Sequence, residues 1–133
     1  MGLLTIIEVE WMLNMDYIKE YERWLASPCI NSEEKEELTS IKDNEEEIKS
    51  RFYAPLKFGT AGLRGIMGAG INRMNAHVVR QATQGLSELI SREGEEAKKR
   101  GVVICHDCRK HSREYALEAT GIMAGNGIHV RLF

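Results

Sequence analysis

The stretch Phe58-Gly-Thr-Ala-Gly-Leu-Arg-Gly65 gathers the residue types in this chain best suited to chemistry. Gly59, Gly62 and Gly65 let a backbone approach a ligand closely and present N–H groups without side-chain obstruction. Thr60 adds a hydroxyl donor. Arg64 adds a planar guanidinium that can grip a phosphate through two parallel hydrogen bonds. Together these describe an anion-binding loop. The competing reading is that the glycines simply make turns and Arg64 pairs with a surface acid, since glycine loops with an arginine are common. The stretch is not a Walker loop, because no Gly-Lys-Ser/Thr follows. Nor is it a dinucleotide fingerprint, because its glycines fall three apart and no strand precedes them.

A second motif is Cys105-His-Asp-Cys108. A C-x-x-C after a strand and before a helix can be a redox pair, or half of a zinc site completed by His106 or His111. Against zinc, there is no second cysteine pair; against redox, His111 and Ser112 separate Cys108 from the helix start. Coincidence is the plainer reading. Asp107 and Arg109 are expected to brace the loop rather than touch a ligand. His77, His106, His111 and His129 show no triad-like arrangement, and the scattered methionines (Met12, Met15, Met67, Met74, Met123) suit core or loop filling.

These motifs sit between elements that can be read locally. Asp16 can cap a helix whose apolar face is Tyr17, Ile18, Tyr21, Trp24 and Leu25, and Ser27-Pro28 ends it. Asn31 with Glu34, and Asp43 with Glu46, resemble capping boxes. The Glu-rich stretch around them holds few apolar residues (Leu38, Ile41, Ile48, Phe52) and reads as two solvated helices lying on a larger body. Five glycines between 59 and 70 favour a loop over 58–72, with a short extended piece at Leu63–Met67. Asn75 can cap a helix to about Ile90 with Val78, Val79, Ala82, Leu86, Leu89 and Ile90 facing inward. Val102–Ile104 suits a buried strand. Ser112 is expected to cap the next helix, which Gly125-Asn126-Gly127 stops in a left-handed turn. Ile128, Val130, Leu132 and Phe133 begin another strand. Strand, helix, strand with short loops predicts a crossover unit of a parallel α/β sheet.

Composition bounds the rest. The chain has 133 residues, enough for one small domain, with 43% hydrophobic and 29% charged residues. A formal net charge of −2 provides no basic field for nucleic acid or anionic lipid. Three cysteines, an odd and sparse set, argue against a disulfide framework and for a reducing compartment. The apolar start lacks a basic residue before Glu8 and is too short for a signal peptide or a bilayer span. A cytoplasmic protein with neither nucleic-acid nor membrane partners is expected.

Phe58-Gly-Thr-Ala-Gly-Leu-Arg-Gly65 resembles the first active-site segment of the α-D-phosphohexomutases, which include phosphoglucomutases and phosphomannomutases. Gly68-Ala-Gly-Ile-Asn-Arg-Met-Asn75 and Gln81-Ala-Thr-Gln-Gly85 resemble the phosphoglucomutase-2-like and phosphopentomutase-like branch. Val102-Val-Ile-Cys-His-Asp-Cys-Arg-Lys-His-Ser112 is similar to the family's first buried strand, with its Asp-x-Arg turn and the helix after it. The lead-in from Tyr21-Glu-Arg-Trp24 to Phe52 is similar too, so the likeness runs from about Met15 to Phe133. Several segments in the right order make it specific. The domain reading is an extension at 1–14, a helical lead-in at 15–56 and a truncated domain I at 57–133. The expected fold class is α/β: an incomplete three-layer α/β/α domain with a mostly parallel sheet, preceded by short N-terminal helices.

The resemblance implies an enzyme that moves a phosphoryl group between the 1- and 6-hydroxyls of a hexose through a sugar bisphosphate. An active-site phosphoserine would be the donor, with Mg²⁺ held by aspartates and a hexose 1,6-bisphosphate as primer. Thr60, Gly62, Arg64 and Gly65 would line the cleft and hold sugar phosphate. The family's Thr-Ala-Ser-His-Asn-Pro segment does not occur in these residues, nor does its Asp-x-Asp-x-Asp metal pattern. The expectation is therefore a fragment, ending in a strand, that binds no metal or primer itself, is inactive alone, and works with the remainder of the mutase. The alternative is a stand-alone phosphate-binding or interaction module, or, less favoured, a C-x-x-C redox or zinc module.

Overall fold

The computed structural model describes residues 16–133, which divide into two compact units with the boundary between Met74 and Asn75. The expectations placed on 1–14, and on Met12 and Met15, lie outside the described residues.

The described part of the first unit contains helix α1 (Tyr17–Ala26), α2 (Ser32–Ser40) and α3 (Glu45–Phe52). Each start is fixed by a side chain that takes an otherwise orphaned N–H. Asp16 accepts from Lys19, and Asn31 and Glu34 form a reciprocal capping box. The third start differs from expectation. Asn44, not Asp43, is the cap, accepting from Glu47 at 3.1 Å. The preceding turn is still closing there, with the Asn44 N–H donating to Ile41 at 2.8 Å, so Asp43 lies inside that turn.

The apolar face read for α1 packs as expected. Tyr21 and Trp24 are buried with Leu38, Ile48, Phe52 and Ala69, and both rings meet Phe52 edge-on, with centroids 5.8 and 5.7 Å apart. The Tyr21 hydroxyl donates to the Leu38 carbonyl at 2.8 Å, so this polar atom carried into the core is satisfied. The acidic helices are thus more than a solvated cover on another body. Their few apolar residues, Leu38 and Phe52 above all, are the centre of this core.

After α3, strands β1 (Phe58–Gly59) and β2 (Gly62–Leu63) form a minimal antiparallel hairpin, with Phe58 opposite Leu63 and Gly59 opposite Gly62. The extended piece expected at Leu63–Met67 is split: Gly62–Leu63 belongs to the hairpin, and Met67 bridges separately to Met74.

The second unit contains α4 (Ala76–Arg92), α5 (Glu95–Arg100), β3 (Val102–Ile104), α6 (Ser112–Gly125) and β4 (Val130–Leu132). Strands β3 and β4 pair in parallel, Val102 with Val130 and Ile104 with Leu132, and α6 is the crossover between them. The strand–helix–strand reading therefore holds. Asn75 caps α4 through the Val78 N–H at 2.9 Å.

Other local expectations shift. Helix α4 buries Val78 and Ser87, while Leu86 and Leu89 are exposed. Ser87 can be buried because its hydroxyl donates to the Thr83 carbonyl at 2.9 Å and meets Met123 Sδ at 3.2 Å. Val103 is exposed rather than buried. Ser112 is the first residue of α6 and not its cap; His111 precedes it in a left-handed conformation with φ 63. The Ser112 hydroxyl instead accepts the Asp107 N–H at 3.2 Å. The end of α6 is as read, with Gly127 at φ 73 and the Ile128 N–H returning to Met123 at 3.1 Å.

The architecture of the described residues is mixed α/β, with one antiparallel and one parallel strand pair. None of their helices is long and apolar enough to cross a membrane.

Candidate functional site

The hairpin and the chain after it are held to the helical core of the first unit by a partly buried ionic network. Arg51 on α3 donates to Glu47 at 2.8 Å and to Glu37 at 2.5 Å, and its guanidinium also reaches the Ala69 carbonyl at 3.0 Å. Glu37 in turn accepts the Ala69 N–H at 3.1 Å. Arg73, which is buried, donates to the Ser50 carbonyl at 3.2 Å and to the Ser50 hydroxyl at 2.9 Å. Asn72 adds side-chain and backbone bonds to Ser50 and Arg51 at 3.0 and 2.9 Å. These charges are paired and hydrogen-bonded, the condition for burying them at tolerable cost. The Arg51 guanidinium holds the Glu47 carboxyl below its ordinary value. Gly70 belongs to the same fit: a Cβ there would stand 2.9 Å from both Cβ and the carbonyl oxygen of Arg51.

Within this frame Thr60 and Ala61 form the two-residue turn between β1 and β2. Gly62 has φ 100, a conformation that side chains rarely adopt, so the turn itself requires this glycine. Gly65 is exposed, and a Cβ there would come within 2.8 Å of the methyl end of the Leu56 side chain, which can give way. Lys57, Gly59, Thr60, Ala61, Gly62 and Arg64 line an open depression of about 400 Å³. Of the four residues singled out from sequence, Thr60, Gly62 and Arg64 thus share one concavity, and Gly65 lies beside it. Arg64 is exposed and makes no ion pair or hydrogen bond among the described residues.

Lys57 is the lining residue that motif reading passed over. A signal for it is present in the sequence: between Glu47 and Glu88 the chain contains no Asp or Glu. A chain with 20 acidic residues leaves this stretch without one.

The C-x-x-C segment follows β3. Cys105 and Cys108 are free and exposed. Among the described residues no three His, Cys, Asp or Glu side chains are grouped so as to hold a metal ion. Asp107 accepts from the Arg109 N–H at 3.0 Å and from its guanidinium at 2.6 Å. The backbone N–H and then the guanidinium of Arg109 hold the Asp107 carboxyl below its usual range. Asp107 and Arg109 brace the loop, as their spacing suggested.

Residues 55–133 match the family model for phosphoglucomutase/phosphomannomutase, alpha/beta/alpha domain I. The chain is 38% identical over 120 residues to a phosphopentomutase of Mus musculus, an alignment covering 86% of this chain and 19% of that protein. It is 39% identical over 98 residues to a phosphoribomutase of Saccharomyces cerevisiae, covering 71% and 15%. With a glucose 1,6-bisphosphate synthase of Mus musculus it shares 32% identity over 124 residues, covering 87% and 19%. The chain therefore spans less than a fifth of the length of these relatives. No solved structure matches it. A glycine-turned hairpin with an exposed arginine, followed by a parallel strand–helix–strand unit, falls within the segment that the family model covers, and the chain belongs to the phosphoglucomutase/phosphomannomutase family.

Proposed function

We propose that this chain is the N-terminal part of a phosphomutase that interconverts hexose 1-phosphate and hexose 6-phosphate, and that its hairpin turn holds a phosphoryl group of the sugar. The observation that carries this reading is Arg64. Arg51 and Arg73 are consumed by the ionic network of the core, whereas Arg64 stands exposed at the rim of a depression lined by Thr60 and Gly62.

In the proposed reaction a phosphoserine transfers its phosphoryl group to one hydroxyl of the sugar phosphate, giving a sugar bisphosphate. The other phosphoryl group then returns to the serine, leaving the isomeric monophosphate. Such transfers demand positioning and charge stabilisation more than covalent help. Arg64 would offer two parallel N–H donors to phosphoryl oxygens, Thr60 a hydroxyl, and Gly62 an unobstructed backbone, with Gly65 beside them. The serine, Mg²⁺ and the hexose 1,6-bisphosphate primer belong to the whole protein in this proposal, as do the rest of the three-layer, mostly parallel domain and a cytoplasmic location. The described residues do not fit a metal site, so no step on this chain runs through one. The names phosphopentomutase and phosphoribomutase among the relatives favour a second substrate reading, a pentose phosphate.

The test is a backbone-resolved NMR titration of the purified chain with glucose 1-phosphate and ribose 1-phosphate. Shifts centred on residues 57–65 that vanish in Arg64→Ala are expected, with no turnover in a coupled assay. Shifts that persist in Arg64→Ala, or that centre elsewhere, would refute the placement. Turnover by the chain would refute its inactivity alone.

A further inference from the structure

Asn126 is the one asparagine of this chain that a glycine follows, and it stands where α6 stops. That pair carries its own chemistry. With no side chain on the following residue, the peptide nitrogen of Gly127 meets no obstruction on its way to Cγ of Asn126. Attack forms an N–Cγ bond and breaks Cγ–Nδ2, and the amide leaves as ammonia with the proton given up by the peptide nitrogen. Water then opens the cyclic imide at either carbonyl, leaving aspartate or isoaspartate. In the fold both reacting groups are tied down. Asn126 Nδ2, the leaving group, donates to Gln84 Oε1 at 2.9 Å and to the Ile122 carbonyl at 2.8 Å. Gln84 Nε2 donates back to Asn126 Oδ1 at 3.4 Å, so one amide on α4 holds the other by both its atoms. The nucleophile is engaged as well: the Gly127 N–H donates to the Ala124 carbonyl at 2.9 Å. Burial does not protect the pair, because Asn126 is half-buried and Gly127 exposed, within reach of water. Hydrogen bonding does.

We propose that Asn126-Gly127 is a latent deamidation site, which the reciprocal amide pair with Gln84 keeps closed in the folded chain. The site is independent of the phosphate reading of the Arg64 turn. Its opening has a structural consequence. Isoaspartate routes the main chain through Cγ and inserts a methylene between residues 126 and 127. The Gly127 N–H bond to Ala124 and the Ile128 N–H bond to Met123, at 2.9 and 3.1 Å, close the end of α6 across that link. The next residue, His129, accepts the Val102 N–H that starts the β3–β4 ladder. Deamidation therefore loosens the crossover unit from its helix stop onward.

The experiment incubates the whole chain at mildly alkaline pH and follows aspartate and isoaspartate at position 126 by peptide mapping with mass spectrometry. The folded wild-type chain is expected to react about tenfold or more slowly than the same chain unfolded in guanidinium chloride, since several hydrogen bonds must open first. Gln84→Met, similar in length but without the amide, should react about fivefold faster than wild type, the worth of one hydrogen bond. Gln84→Glu keeps the acceptor for Asn126 Nδ2 and should stay closer to wild type than to Gln84→Met. Arg80→Ala is the control for general loosening. It removes the Arg80–Glu118 pair, at 2.6 and 2.8 Å between the same two helices, and leaves the Asn126 contacts in place, so its rate should stay within about twofold of wild type. A folded wild-type chain that reacts as fast as the unfolded one overturns the closed site, whether or not Gln84→Met folds. A folded Gln84→Met chain at the wild-type rate, or an Arg80→Ala chain as fast as Gln84→Met, overturns the role of Gln84.

Discussion

The sharpest steric demand in the fold is at Gly101, between α5 and β3, and replacing it with alanine tests the parallel strand pair directly. Gly101 has φ 71 and ψ −161, a region essentially reserved for glycine. A Cβ there would stand 2.0 Å from the backbone oxygen of His129 and 2.8 Å from its carbonyl carbon. That oxygen accepts the Val102 N–H at 2.8 Å, the bond that starts the β3–β4 ladder. The His129 backbone must retreat by about 1.4 Å before the contact reaches an ordinary 3.4 Å, which carries the bond to roughly 4 Å, out of hydrogen-bonding range. Backbone strain of about 1–3 kcal/mol and an unmade bond of about 1–3 kcal/mol give a loss of about 2–6 kcal/mol, centred near 4. Gly127→Ala is the matched control. Its φ is 73, nearly the same, yet a Cβ there meets nothing within 4 Å, so only the strain of about 1–2 kcal/mol applies. For a chain of this size each kcal/mol lowers the melting temperature by about 3–5 °C. Far-UV circular dichroism melts should therefore show Gly101→Ala falling by about 10–20 °C and Gly127→Ala by less than half as much. Equal losses in the two variants would refute the close approach of β4 to Gly101.

Phe52→Ala, emptying the centre of the first unit's core, is expected to cost about 3–5 kcal/mol in chemical denaturation. A loss below 1 kcal/mol would mean that the acidic helices do not share that core. Glu47, held below its ordinary value of 4.5 by Arg51, should contribute stability that is present above pH 4.5 and lost as pH falls below it. Glu47→Gln should accordingly be less stable at pH 7 and lose less on acidification, read from denaturant midpoints at the two pH values. Gly62→Ala meets no atom within 4 Å but has φ 100, so it should cost about 1–3 kcal/mol through strain alone, measured by the same unfolding curves.

What the sequence made legible was set by local chemistry. The caps Asp16, Asn31 and Asn75, the stripe on α1 and the Gly127 stop each depend on residues within one or two helical turns. The parallel pairing of β3 and β4 followed from the helix between them. Misreadings arose where a partner distant in sequence decides the outcome. The burial of Ser87 rests on Met123, and Leu86 and Leu89 lie outward on the same helix. The role of Ser112 is set by the Asp107 N–H rather than by its own helix. At the site, residue types alone pointed to Thr60, Gly62 and Arg64. Lys57 emerged only with the depression it lines, and the neighbour of Gly65, Leu56, only with the folded chain. The ionic network of Glu37, Glu47, Arg51 and Arg73 was equally invisible, because helix periodicity does not say which charges a glycine-rich loop will cover.

A crystal structure of the chain soaked with glucose 6-phosphate tests the central claim most directly. The account predicts a phosphoryl group seated over the Thr60–Ala61 turn, with the Arg64 guanidinium within about 3 Å of two of its oxygens. A phosphoryl group bound elsewhere, or Arg64 folded away against a carboxylate with the turn bare, would contradict it.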